Sequence, residues 1–223
     1  MTELIFNLNE EKDIRNVWEL CNFGLPWEEP VEKKILNEEY KSLWRGRAFE
    51  DCKEEIWKSI EPLYSSGIIE AFRNVLETSW EGISEEYFRR LEKITKRPTP
   101  SSGFVAYATS AGRCPYDIEN NSFMVSIKRP LLHCLRTSGH ELMHLQFANY
   151  FWEGIERQIG KKQTANLSEG LTELLNSEFR DLWFVADVGY PAHQKLRKFI
   201  YDEWKKEKNF GVILDKCINY LKI

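Results

Sequence analysis

The sequence predicts a mainly helical α+β fold with a small sheet. Three observations lead there. The first ~95 residues carry apolar side chains at helical spacing. Two strand-like segments, FVAYAT (Phe104–Thr109) and SFMVSI (Ser122–Ile127), follow a break rich in proline, glycine and serine. Helical periodicity then resumes at Pro130 and continues to the end. At 223 residues the chain suits one domain, or a core with a helical companion. The expected division is a helical N-terminal region over 1–97, packed on or covering a cleft, and a core over 98–223.

The elements follow in order. Ile14, Val17, Trp18 and Cys21 mark a first helix that stops at GLP (Gly24–Pro26). A long helical pattern starts at Pro30. Ile35, Leu43, Trp44, Ile56, Trp57 and Ile60 form its apolar face, with a break at Gly46. A third helix is expected from Gly67 to Ser79. A fourth follows Ser84, an N-cap candidate with Glu85 and Glu86 in the first turn. Trp18, Trp27, Trp44, Trp57 and Trp80 read as core. RPTPSSG (Arg97–Gly103) is the clearest punctuation, and the turn-rich SAGRCPYDIENN joins the two strands. Pro130 suits the first turn of a helix running to about Phe151, with Leu131, Leu132, Leu135, Leu142 and Leu145 on its buried side. KKQTAN reads as a loop, LSEGLTELLNSEF begins another helix, and two more start near Ala192 and Gly211.

The formal net charge is -4 and the basic residues are dispersed, which argues against nucleic acid as a partner. KITKR and KKEK read as solvated helix ends. The five cysteines are odd in number and show no CxxC spacing, so neither a four-cysteine zinc site nor a disulfide framework is expected. Reduced thiols and a cytoplasmic location are. No apolar run approaches ~18 residues, so no membrane partner is expected. The start, MTELIFNLNEEKD, lacks a basic and then apolar leader.

Chemistry concentrates in TSGHELMHLQF (Thr137–Phe147). On a helix His140 and His144 share a face one turn apart, and two imidazoles so placed can bind one Zn2+. Glu141 points about 100° away, where it reaches a metal-bound water rather than the metal. The ion lowers that water's pKa, and the carboxylate takes a proton as the water attacks a carbonyl. Chance alone would produce HExxH in about one such sequence in a hundred. A third ligand is therefore required. A metzincin would continue HExxHxxGxxH, but Phe147 and Tyr150 hold those places. Glu169, on a later helical segment, is the next candidate. Glu173, one turn on, could accept a hydrogen bond from a ligand's outer nitrogen, most naturally that of His140. Glu169 has a second reading, because Asn166 and Glu169 also form a capping-box-like pair.

HELMH followed by SEGLTE resembles the gluzincin branch of zincin metallopeptidases, the thermolysin-like and gluzincin aminopeptidase families. LSEGLTEL is similar to their NEGFAEY-like segment. The likeness covers about 104–179. It implies a zincin-like catalytic core that hydrolyses peptide bonds. His140, His144 and Glu169 would be the ligands of one zinc ion, Glu141 the general base and Glu173 the carboxylate behind a ligand. It also implies a sheet whose edge strand holds an extended peptide. Either FVAYAT or the residues around Arg113–Tyr116 could be that strand.

A donor for the tetrahedral oxyanion is also expected. His193 is the first choice, since it follows a GYP turn, with Tyr190, Arg197 and Tyr201 behind it. His193 is also the rival third ligand. His133 lies two turns before His140 and reads as a surface or cap histidine; Cys134 reads as a buried thiol. GxSxG, Walker and GxGxxG segments do not occur. Two other classes stay open: a metal-stabilised binding or regulatory module without turnover, and a zinc-free helical interaction protein.

Overall fold

The computed structural model describes residues 2–23 and 43–222. The GLP stop, Trp27, the Pro30 start and Ile35 lie outside the described residues. Among the described residues the chain is predominantly helical with one four-stranded mixed sheet, and the sequence predicts a mainly helical α+β fold. Among the described residues no helix is long and apolar enough to cross a membrane.

The first element is a strand, β1 (Glu3–Asn7), whose Leu4 and Phe6 alternate inward. The sequence reading of an all-helical start misses it. β1 pairs in parallel with β2 (Gly103–Thr109). Helix α1 (Glu10–Asn22) follows, capped by the Asn9 side chain accepting from the Lys12 amide. Beyond a turn at Gly46, α2 (Phe49–Ser65) packs on α1 through Ile14, Leu20, Phe49, Cys52, Ile56 and Ile60. Trp44 is buried with them, and Trp18 and Trp57 pack at the edge.

The third and fourth predicted helices are one, α3 (Ile68–Thr95, 28 residues). Gly82 and Ser84 do not divide it. A glycine costs a helix only about 1 kcal/mol, and Leu76, Trp80, Tyr87, Phe88 and Leu91 are all buried on either side. After β2 come β3 (Tyr116–Asp117) and β4 (Ser122–Ser126). The order is β1-β2-β4-β3, parallel except for the β3/β4 hairpin. Among the described residues β2 is therefore interior and β3 is an edge, so of the two candidate segments the one around Tyr116 lies at the sheet edge.

Phe104 and Ala106 of β2, with Phe123 and Val125 of β4, join the core formed by α3 and α4 (Leu131–Phe147). The opposite face of β2 meets α1. Buried Asp13 accepts from the Thr109 hydroxyl (2.6 Å) and the Ser110 amide (2.9 Å). One turn further, Asn16 donates to the Arg113 carbonyl at 3.0 Å and Glu19 pairs with Arg113 at 2.8 Å. α1 thus clamps the loop between β2 and β3. The 97/98 division does not separate two packing units, because β1 completes the sheet and α3 shares the main core.

A π-helical turn (Ala148–Trp152) links α4 to α5 (Glu153–Leu171). Then come α6 (Glu173–Glu178), α7 (Arg180–Trp183), a 3-10 turn (Pro191–His193), α8 (Gln194–Lys206) and α9 (Phe210–Leu221). KKQTAN is helical rather than a loop. The interruption falls just before it, at Gly160, whose φ of 76° suits glycine. Gly139 lets α4 approach α7: a Cβ there would sit 2.7 Å from the Trp183 ring.

Candidate metal centre

α4 supplies His140, Glu141 and His144, and the segment of α5 after Gly160 supplies Glu169. The two imidazole Nε2 atoms lie 2.9 Å apart. The Glu169 carboxylate oxygens are 3.8 Å from His140 Nε2 and 3.6 Å from His144 Nε2. Tetrahedral zinc with bonds of about 2.0–2.1 Å requires ligand atoms about 3.3 Å apart. The closest approaches lie within about half an ångström of that spacing, one Glu169 oxygen nearest each imidazole. Among the described residues, His140, His144 and Glu169 form the group whose ligand atoms all fall within 4.8 Å of one another.

Both imidazoles are held from behind. His140 Nδ1 lies 2.9 Å from Asp187 Oδ2, and since a carboxylate only accepts, the nitrogen donates. His144 Nδ1 meets the Ser168 hydroxyl at 2.8 Å. Asp187 is itself fixed by Arg136 at 2.7 Å and by Arg197 at 3.1 Å. Burial pushes the Asp187 carboxyl upward, but His140, Arg136 and Arg197 outweigh it and hold the group well below the usual carboxylate range. Burial likewise disfavours a charged His140, yet the facing Asp187 carries it up to about 9. Burial and the His140 charge push His144 well below the ordinary imidazole value.

The carboxylate behind His140 is therefore Asp187, not Glu173. The helix carrying Glu169 ends at Leu171, and Glu173 starts a new one after Thr172. Its carboxylate pairs with Arg197 at 2.9 Å and accepts from Asn176 at 3.1 Å. Glu173 is linked to Asp187, and so to His140, through Arg197 and through Asn176, which also bonds the Asp187 backbone. Gly189 makes room for this relay: its φ is +59°, and a Cβ would fall 2.7 Å from Arg197 Cδ.

The capping-box reading of Glu169 also fails. Asn166 lies inside α5, where its Nδ2 donates to Gln163 Oε1 at 2.9 Å. His193 is corrected in both proposed roles. It is buried, with Nε2 3.2 Å from Asn166 Oδ1 and its ring edge-on to Tyr190, and it is not part of the cavity wall. The 3-10 turn that starts at Pro191 directs it against α5. Arg197 is taken up by Asp187 and Glu173, and Tyr201 lies under Lys205. Of the four donor candidates, Tyr190 alone lines the cavity. Cys134 is a buried thiol donating to the Ser126 and Arg129 carbonyls, and burial pushes it up to about 12.

The cavity beside the three side chains has a volume of about 600 Å³. The β2–β3 loop and Tyr116 form one wall, α4 the floor, and α5 with Asp187–Pro191 the other wall. The described residues that line it all fall between Gly112 and Pro191. Tyr116 tilts over His144 with ring centres 5.2 Å apart. Trp152, on the π-helical turn, also lines it. Glu141 faces this space and forms no hydrogen bond or ion pair with the described residues. Burial pushes its carboxyl up to about 8, the charges of His140, Arg129 and Arg136 oppose this, and Glu169 adds to it. A carboxyl poised near neutrality can both take and return a proton.

Asp187, Ser168 and Arg136 escape the sequence reading, and Tyr116 enters it only as the end of a candidate edge strand. Arg136 had a signal: four residues before His140, it shares the ligand face of α4. No family model, curated protein or solved structure significantly matches the chain.

Proposed function

We propose that the chain is a zinc-dependent metallopeptidase of the gluzincin type, hydrolysing peptide or similar amide bonds. One observation carries the reading. Two imidazole nitrogens and a carboxylate, from two helices, converge within 4.8 Å of one another beside an unpaired carboxylate in a substrate-sized cavity.

His140, His144 and Glu169 would hold the ion. Asp187 and Ser168 support that role by holding both rings with Nε2 turned inward. When bound, zinc lowers the pKa of water and polarises a carbonyl. Glu141 then receives the proton of the attacking water and delivers it to the leaving amine. Tyr116 lines the cavity with a phenol hydroxyl that could donate to the oxygen on which charge develops. The open side of β3 suits an extended peptide, which could add to the sheet by backbone pairing.

The cavity at the ligands favours turnover over a metal-stabilised module with a filled site. The odd cysteine count favours a reducing, cytoplasmic setting. The direct test is cleavage of a casein-derived peptide mixture. Activity should vanish on chelation and return with one equivalent of zinc. Zinc-loaded chain that cleaves no peptide overturns the hydrolase reading.

A further inference from the structure

Three arginines line the cavity: Arg113, Arg129 and Arg136. Two are committed. Arg113 pairs with Glu19 at 2.8 Å and Arg136 with Asp187 at 2.7 Å. Arg129 is different. Its backbone is pinned between β4 and α4, with its amide donating to the Ser126 carbonyl and its own carbonyl accepting from Cys134 Sγ at 3.4 Å. Its guanidinium makes no hydrogen bond or ion pair with any described residue. It is half-buried, and its charge is felt at Glu141, where it favours the carboxylate. Yet Arg129 and Glu141 form no ion pair. If they paired, the base would be held away from its work.

A guanidinium is permanently charged and offers a planar fork of donors matched to a carboxylate. Here it stands on an anchored backbone, in the cavity of the proposed catalytic group, with its donors unspent. We propose that Arg129 is a specificity residue that anchors a carboxylate of the substrate. The preferred substrates are then peptides carrying a carboxylate close to the bond cleaved. It comes from a free C-terminus or from an aspartate or glutamate side chain; the chemistry at Arg129 is the same. This inference rests on the peptidase reading for the meaning of "substrate", but binding tests it separately.

The experiment uses full-length, zinc-loaded Glu141→Gln protein, so that bound peptides persist. Three fluorescent peptides of one otherwise uncharged sequence are compared: free C-terminus, amidated C-terminus, and amidated with one internal glutamate. A charge-assisted hydrogen bond in a partly buried site predicts that at least one carboxylate-bearing peptide binds about 10-fold or more tightly than the neutral amide. Which one does so identifies the source. Arg129→Ala in the same background should erase the preference with little effect on the amide, and Arg129→Lys should keep part of it. Equal binding of all three peptides, or a preference that survives Arg129→Ala, overturns the anchor. The comparison among peptides stands even if the alanine variant folds poorly. Cleavage by the unsubstituted chain is scored in parallel. Carboxylate-selective binding without cleavage overturns the peptidase reading and leaves the anchor; cleavage without carboxylate preference does the reverse; no binding by any peptide overturns both.

Discussion

Glu141→Gln should retain a full equivalent of zinc and lose peptide turnover by about 10²–10⁴-fold, the range expected when a positioned general base is removed. The substitution keeps the side chain's shape and removes its ability to take a proton. Glu141 is not among the three converging ligands, so metal retention should not change. Stability should not suffer either. The carboxyl is raised by burial from 4.5 to about 8, so the folded metal-free chain binds the proton more tightly than the unfolded one. That contribution is fully present below about pH 4.5 and is lost as pH rises through 8. At pH 8 the glutamine variant should therefore melt no lower than the parent, as read by circular dichroism. Undiminished turnover in a folded variant would remove Glu141 from the chemistry.

The second large effect concerns the metal itself. Glu169→Ala leaves two imidazoles and should strip most of the zinc during dialysis against a weak chelator. Asp187→Asn tests the support behind His140. It replaces an acceptor held by Arg136 and Arg197, and affinity should fall about 10–100-fold. His193→Ala should retain zinc like the parent, because its ring packs on Asn166 and Tyr190 and is not itself part of the cavity wall. Zinc per folded chain, by atomic absorption, reads all three. Loss in the His193 variant together with retention in the Glu169 variant would mean a three-histidine site.

Much of this site was legible because helix geometry is local. The spacing of His140 and His144 places both on one face of α4 whatever surrounds it, and Glu141 follows from the same rotation. Glu169 was legible as an acid on a separate helix, although its start was misjudged: the chain bends at Gly160, not across KKQTAN. The carboxylate behind His140 was not legible. Continuing the helix from Glu169 puts Glu173 one turn on, but the break at Thr172 hands Glu173 to Arg197, and Asp187 arrives from an irregular segment with no periodicity to read.

The fold divides along the same line. The helices were readable from their apolar faces. β1 was not, because five residues with two inward side chains become a strand only by pairing with β2, about a hundred residues away. The join of α3 through Gly82 was likewise decided by packing, since Trp80 and Tyr87 are both buried.

The central claim is that His140, His144 and Glu169 share one ion. X-ray data from crystals of the purified chain, collected on both sides of the zinc absorption edge, test it most directly. A single anomalous peak is predicted about 2.0–2.2 Å from both Nε2 atoms and a Glu169 oxygen. A zinc peak elsewhere, or Glu169 turned away from an ion held by other ligands, would contradict it.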